Sequence, residues 1–355
     1  MTNWQRIASL ATLAVMALAP MALGQSNINE KTEAAALHAD APANAFPATA
    51  VGLSSADMTN WPLAPDQVCG KQILLDYWTY LEPSKGTFNW KYTDAQVALC
   101  GARGVPIIFT FGGVPKWAGA SGAQCSTNYC AGPPDKQSDL VAFVTAVATR
   151  YKGKFAMIEE WNEPDSPGQF EQISVVGVTK MLADLVAMDK SIYTTYHAID
   201  PAAQFSTPGV QDNNSIIFQV DHIQALLNAE VAQGGIWEQA IAFHWYPRTG
   251  TGGDCTPSTV LACVNALPAN IQAVQSVAGG RPVLLTESSW GPDSQITSSE
   301  QSVFATAWIN AVQNGHIVGI WWAWQTKGQE SDTEGTLYNG SALNPAGEAF
   351  AAAVK

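Results

Sequence analysis

From about residue 50 onward, short runs of β-branched and aromatic residues alternate with longer alanine-rich amphipathic stretches, and no other feature restricts the fold as strongly. Runs of period two separated by stretches of period 3.6 are what repeated βα units require, and such units build parallel sheets. The pattern predicts strands from Ile73 to Tyr77, Val105 to Thr110, Ala156 to Glu160, Gln204 to Thr207, Ala240 to His244, Val283 to Thr286 and Val318 to Trp322. A first strand near Ala50 completes eight. Spacing and N-cap residues predict helices from Thr93 to Arg103, Ser138 to Tyr151, Val175 to Ile199, Ser215 to Gln233, Ser258 to Ala278 and Ser299 to Asn314.

The alternation fits an open doubly wound sheet equally well. The polar residues separate the two. Asn162 and Glu163 follow the fourth strand, His244 and Tyr246 the sixth, Glu287 the seventh, and Trp322 stands at the end of the eighth. Polar groups gathered at strand C-termini are how barrel enzymes place their chemistry. The expected fold is therefore α/β, a (β/α)8 TIM barrel forming a single catalytic domain over residues 46–355.

Two segments carry the chemistry. In FAMIEEWNEPD an apolar strand runs into Glu163, and Pro164 stops the strand, fixing that carboxyl at a strand-to-loop junction. In PVLLTESSWGP a second apolar run delivers Glu287 to a strand end three βα units later. Each acid alone has an ordinary reading, Glu163 as a solvated loop residue and Glu287 as a helix N-terminal carboxylate. His244 alone would be read as a core histidine. Together the acids meet the demand of glycoside hydrolysis: one carboxyl protonates the leaving oxygen and the other acts on the anomeric carbon. Among the other acids, Glu82 in LEPSKG reads as a turn residue and Glu159 as a brace of the barrel interior.

WNEPD (161–165), HWYP (244–247) and LLTESSW (284–290) resemble signatures of the glycoside hydrolase A clan, in that clan's order. YWTYLEPSKGTFNW (77–90) and GVPIIFTFGGVPKWAG (104–119) resemble its second and third βα units, closest in flavour to families 39 and 5. The resemblance implies that Glu163 is the acid/base, that Asn162 hydrogen-bonds the sugar 2-hydroxyl, and that Glu287 is the nucleophile. It further implies that Tyr246 orients Glu287, that His244 assists the carboxyls, and that Trp322 faces the sugar. The chain departs from the clan at the second strand. There an Arg commonly stands near the nucleophile, whereas KQILLD offers only Lys71 and no Arg occurs between residues 7 and 102.

A formal net charge of −13 argues against phosphate backbones and anionic lipid as partners. Thirteen Trp residues suit sugar rings or packing alike, Trp78, Trp117, Trp161, Trp290 and Trp324 among them. Arg6, the apolar run from Ile7 to Gly24 and the small residues before Gln25 read as a secretory signal peptide over residues 1–24, followed by a leader over 25–45. Export makes the six cysteines a disulfide set. Proximity pairs Cys125 with Cys130 and Cys255 with Cys263, leaving Cys69 with Cys100, one of fifteen possible connectivities. No nucleotide, zinc-protease or serine-hydrolase motif occurs, so neither cofactor nor metal is implied.

The sequence thus points to a secreted, monomeric, retaining glycoside hydrolase acting on a neutral β-linked polysaccharide or oligosaccharide. It would need no nucleic-acid partner, and no membrane after signal cleavage. A transglycosylase using the same carboxyls and a catalytically silent carbohydrate-binding barrel are the rival readings.

Overall fold

A computed structural model describes residues 46–55, 67–72, 76–121, 123–126, 129–166, 169–170, 176–211, 216–247, 260–290, 297–323, 335, 337–339 and 342–354. The segments expected to be signal peptide and leader, together with Trp324 and Cys255, and with it the expected pairing of Cys255 and Cys263, lie outside the described residues.

Eight short strands follow one another: β1 (Ala50–Ser55), β2 (Val68–Cys69), β3 (Ile108–Thr110), β4 (Met157–Glu159), β5 (Phe205–Ser206), β6 (Ile241–His244), β7 (Val283–Ser288) and β8 (Val318–Ala323). They pair in parallel in the orders β2-β1-β8-β7-β6 and β3-β4-β5. Parallel bridges from Cys69 to Ile107 and from Ser206 to Ala240 join the two runs, so the sheet closes on itself. Seven helices among the described residues lie between strands: α1 (Trp78–Leu81), α2 (Lys91–Ala102), α3 (Gln137–Arg150), α4 (Val178–Ile199), α5 (Ile216–Ala232), α6 (Val260–Val277) and α7 (Ser298–Asn314). The fold is a (β/α)8 barrel. After β8 come the small hairpin of β9 (Tyr338–Asn339) and β10 (Ala342–Leu343), then α8 (Pro345–Ala353), none of which the periodicity indicated.

Strand alternation sorts the apolar residues into two layers. Ala50, Val68, Ile108, Met157, Ala240, Leu284, Val318 and Ile320 form one cluster inside the barrel. Their neighbours Val51, Leu53, Phe109, Ile158, Phe205, Phe243, Leu285 and Trp321 join the outer cluster with Phe143 of α3, Ile192 of α4 and Trp308 of α7. The interior is filled to the point that Gly52 tolerates no side chain. A Cβ there would lie 2.1 Å from the Val68 carbonyl oxygen and 2.9 Å from Ile320.

One strand is displaced from its expected place. The second strand is Val68–Cys69, and Asp76 and Tyr77, expected in it, form a turn. The strand is only two residues long, too short for a periodic signal, whereas the apolar run that follows it mimics one. What holds β2 is its pairing of Gly52 with Val68 and Leu53 with Cys69, together with a disulfide from Cys69 to Cys100 of α2. A cross-link closing a loop of this length contributes about 3–4 kcal/mol in the chain-entropy picture. The second disulfide, Cys125–Cys130, closes a small loop after β3.

Outside the barrel, four buried acids converge: Glu160 beyond β4, Asp189 of α4, Glu230 of α5 and Glu238 before β6. Glu238 faces both Glu160 and Glu230, and buried carboxyls set against one another in this way hold on to their protons. The indole of Trp237 donates to Glu160 at 2.8 Å, and Arg281 supplies a partial counter-charge to Glu230 and Glu238. Burial first, then mutual repulsion, pushes Glu160 and Asp189 far above the carboxylate range and Glu230 to about 11. A carboxyl whose pKa is raised by folding contributes stability that is complete below its unfolded pKa and is lost as pH rises through the folded value. Unfolding free energy from urea titrations is therefore expected to fall steadily as pH is raised from about 5 to 9, and Glu230→Gln with Glu238→Gln should flatten that slope. A level profile in the unaltered chain would contradict the protonated cluster.

Candidate active site

The C-terminal ends of the strands meet around one buried cation. Lys71 stands two residues beyond β2, and its backbone is clamped: the Gly70 amide donates to Leu53 O at 2.7 Å, Gln96 donates to Gly70 O at 2.8 Å, and the Ser54 hydroxyl donates to the Lys71 carbonyl. Its ammonium lies 2.7 Å from Glu287 Oε1, 2.6 Å from Asn162 Oδ1 and 3.4 Å from Glu159 Oε2. Burial alone would lower its pKa, but Glu159 and Glu287 more than compensate and the net shift is upward, so the ammonium stays charged.

Glu159 is the fixed anion beneath it. It points inward from β4 and accepts hydroxyl hydrogen bonds from Thr110 at 2.7 Å and Thr286 at 3.0 Å. Burial opposes its charge, yet Lys71, His244 and the Thr110 hydroxyl bring its pKa down to about 2. Its place as a brace matches the sequence expectation.

Glu287 reaches the same centre because β7 is bulged. Against β6 the register advances from Phe243 opposite Leu285 to His244 opposite Glu287, leaving Thr286 as the extra residue. Strict alternation would send Glu287 outward with Leu285. The bulge instead turns Thr286 and Glu287 both inward, and Ser288 accepts the indole N–H of Trp308 on α7. The second oxygen of Glu287 accepts from Tyr246 at 2.9 Å.

Glu163 is held in a left-handed backbone conformation, φ 42°, that few non-glycine residues adopt. Its amide donates to Gly209 O at 2.9 Å, and Asp165 two residues on is pinned by the Gln211 amide at 3.0 Å and His222 of α5 at 2.6 Å. Gly209 must be glycine, since a Cβ there would lie 2.1 Å from Glu159 Oε1 and 2.4 Å from His244 Nε2. The Glu163 carboxyl faces His244 Nδ1 at 2.8 Å and the Gln211 amide at 3.4 Å.

His244 is fully buried and links all three acids, with Nδ1 also 3.6 Å from Glu287 Oε2 and Nε2 3.4 Å from Glu159 Oε1. Burial and Lys71, 3.2 Å from Nε2, oppose a second proton on the ring, whereas Glu287, Glu159 and Glu163 favour it. The carboxylates prevail and the pKa rises to about 9. Trp322 lies at the end of β8, on the inward face shared with Val318 and Ile320, and is 8% exposed.

All six residues singled out from the sequence thus stand at the strand ends, and direct contacts link Glu163, Glu287, Asn162, His244 and Tyr246 through Lys71 and His244. Lys71 was noted only as what the second strand offers in place of an Arg, and Gly209, Gln211 and the Asp165–His222 pair were not anticipated. Placing the second strand at Val68–Cys69 would have set Lys71 just past a strand end, the one signal that could have found it. Of the tryptophans, Trp78, Trp161 and Trp290 are buried against Phe143, Phe170 and Phe304 respectively, and are packing residues.

Glu163, His244 and Glu287 each offer one ligand atom within 4.8 Å of the others, a spacing open to a metal ion. The charge distribution argues against one. Glu287 already faces an ammonium, and His244 Nδ1, facing a carboxylate at 2.8 Å, carries a proton and has no lone pair to give.

No protein-family model matches the sequence, and no curated protein matches it. Solved structures do. A glycoside hydrolase family 10 protein from Paenibacillus barcinonensis superposes with a TM-score of 0.58 at 15% identity, covering 86% of this chain and 94% of that one. A family 10 endoxylanase from a sugarcane soil metagenome gives 0.59 at 13% identity over 86% and 97%. An intracellular xylanase from Thermoanaerobacterium saccharolyticum, solved as a mutant with xylotetraose, gives 0.57 at 13% over 88% and 99%. At such identities the likeness establishes the barrel fold.

Removing the cation leaves Glu159 and Glu287 buried without their partner, which typically costs about 3–5 kcal/mol. Lys71→Met should lower unfolding free energy by that order at pH 7. Glu159, with its depressed pKa, stabilises the fold above its unfolded pKa and loses that contribution as pH falls toward 2, so the deficit of the variant should shrink in acid. Equal stability of variant and parent at pH 7 would show that the ammonium is not the counter-charge.

Proposed function

We propose that the chain is a retaining glycoside hydrolase of the glycoside hydrolase A clan, with Glu163 as acid/base and Glu287 as nucleophile. One observation carries the reading: a carboxylate oxygen of Glu163 and one of Glu287 lie within 4.8 Å of each other. Retaining enzymes hold their two carboxyls about 5–5.5 Å apart, whereas inverting enzymes leave about 6.5–9.5 Å for a water molecule.

In the first step Glu163 gives its proton to the glycosidic oxygen as that bond breaks, and Glu287 bonds to the anomeric carbon. In the second, Glu163 takes a proton from water, whose oxygen displaces Glu287 and restores both carboxyls. The hydroxyl of Tyr246 and the ammonium of Lys71 hold the two oxygens of Glu287 and orient it for attack. Because Asn162 Oδ1 accepts from Lys71, its NH2 is the end left to donate to a sugar hydroxyl, in keeping with a 2-hydroxyl contact. Trp322, at the end of β8 on the inward side, is the aromatic that the clan resemblance assigns to the sugar.

Lys71 also bears on the silent-barrel reading, whose motive was the lack of a second-strand Arg: a cation does sit against Glu287. The substrate class is a neutral β-linked glycan. Xylan-type chains are the first to test, since the structural neighbours named above include xylanases, and family 10 fits the overall shape better than families 39 and 5. Two disulfides among the described residues, with an N-terminal segment that reads as a signal peptide, support export to an oxidising compartment.

The test is turnover of aryl β-glycosides, xylan and β-glucans by the unaltered chain and by Glu287→Ala with and without azide. The expected result is release by the parent, a loss of at least about 10³-fold in the variant, and azide rescue giving a glycosyl azide of inverted configuration. Glycan binding with no turnover of any substrate would refute the assignment in favour of a binding barrel.

A further inference from the structure

Glu287 has a partner on each oxygen, Tyr246 on one and Lys71 on the other, so its carboxyl is fixed before a sugar arrives. Glu163 has the harder task, being neutral when it gives a proton, charged in the glycosyl-enzyme and neutral again at the end. His244 Nδ1 reaches Glu163 Oε1 at 2.8 Å, but the same nitrogen lies 3.6 Å from Glu287 Oε2, so its N–H is divided between the two acids. One point of contact also leaves the carboxyl group able to turn about its terminal bond, a torsion with only a broad two-fold preference.

Gln211 supplies the second point. Its side-chain Nε2 lies 3.4 Å from both Oε1 and Oε2 of Glu163, astride the carboxyl rather than on one oxygen. Its backbone amide donates to Asp165, 3.0 Å from Oδ1 and 3.2 Å from Oδ2. Side chain and backbone thus both serve the 163–165 segment. Asp165 Oδ2 in turn faces His222 Nδ1 of α5 at 2.6 Å, and both residues are buried. The mount of Gln211 is as stiff as that of Glu163. Parallel pairing continues past the ends of β4 and β5 to Asn162 and Gly209, where the Gly209 amide donates to Trp161 O at 3.0 Å. On the other side Val210 bridges Phe243 of β6, and its carbonyl accepts from the His244 amide at 2.8 Å. Residues 209–211 are therefore wedged between the chain segments that carry Glu163 and His244.

Resting on the assignment of Glu163 as acid/base, we propose that Gln211 is a positioning residue for that acid, itself set in place by Asp165 and His222. It keeps the Glu163 carboxyl aimed at the glycosidic oxygen in the first step and at water in the second. An amide suits this duty better than a cation, because it donates to the carboxylate of the intermediate without holding that charge so firmly that the proton cannot return. Standing between the two oxygens, it can donate to either one while the other carries the proton. At 3.4 Å the contact is long, and it shortens as negative charge develops on Glu163.

The test uses aryl β-xylobiosides and β-cellobiosides whose leaving groups run from dinitrophenol, which needs no acid, to unsubstituted phenol, which does. Gln211→Leu, close in size but without the donor, should lose about 10- to 100-fold in kcat/KM on the phenyl glycosides and stay within about twofold on the dinitrophenyl ones, which also report an intact site. Its kcat on the dinitrophenyl glycosides, set by hydrolysis of the glycosyl-enzyme, should fall. Azide, which needs no base, should restore that kcat and give a glycosyl azide of retained configuration. Asp165→Asn should show a smaller loss of the same pattern, and the double variant should lose no more than Gln211→Leu alone, because Asp165 acts through Gln211. Equal losses across the leaving groups, an undiminished phenyl rate in Gln211→Leu, or additive losses in the double variant would overturn the proposal while leaving Glu163 as the acid. A parent chain inert toward both series would remove the glycosidase assignment itself, and the role of Gln211 with it.

Discussion

A single ammonium, taken out of water and surrounded by acids, sets the terms for the rest of the barrel mouth. Lys71 is 2% exposed, and three carboxyls approach it or the imidazole beside it. Removed from solvent, such charges are tolerable only when they neutralise one another at hydrogen-bond distance. That requirement fixes where β2 ends, which way β4 and β7 turn their acids, and why Gly209 has no side chain. Glu159 is the permanent anion and leaves Lys71 free to face Glu287, and His244 spans the gap to Glu163.

The barrel supplies the precision such an arrangement needs. Lys71, Glu159, His244 and Glu287 sit within two residues of a strand end and Glu163 four residues past β4, and the strands are locked by an interior in which even glycines are in contact. The bulge in β7 is the least expected part. Two successive inward residues come from one strand, Thr286 to orient the buried anion and Glu287 to face Lys71 and Tyr246. Had that strand been regular, one of the two would have pointed into the helical layer.

Much of this was legible in the sequence, for definite reasons. Strands β4, β6, β7 and β8 have strong apolar runs that end in polar residues, so Asn162, Glu163, His244, Tyr246, Glu287 and Trp322 were found where chain direction changes. What was not legible depends on contacts between distant segments. A two-residue strand has no period, so β2 was placed too late and Lys71, though noted where the clan has an Arg, was given no role. The close approach that makes Gly209 obligatory and the convergence of Glu160, Asp189, Glu230 and Glu238 join residues that no local pattern relates. The Cys69–Cys100 and Cys125–Cys130 disulfides agree with pairing by proximity, the latter because its cysteines are only five positions apart.

The four acids buried outside the barrel make hydrogen ions a stoichiometric component of the folded molecule at neutral pH. Denaturation sets these carboxyls free in water, where they ionise, so unfolding liberates acid. The heat absorbed in calorimetry then includes the heat of protonating the buffer, and differs between buffers matched in pH but unlike in ionisation enthalpy. In a weakly buffered medium the unfolding of one population of molecules lowers the surrounding pH, which favours the folded form of those that remain.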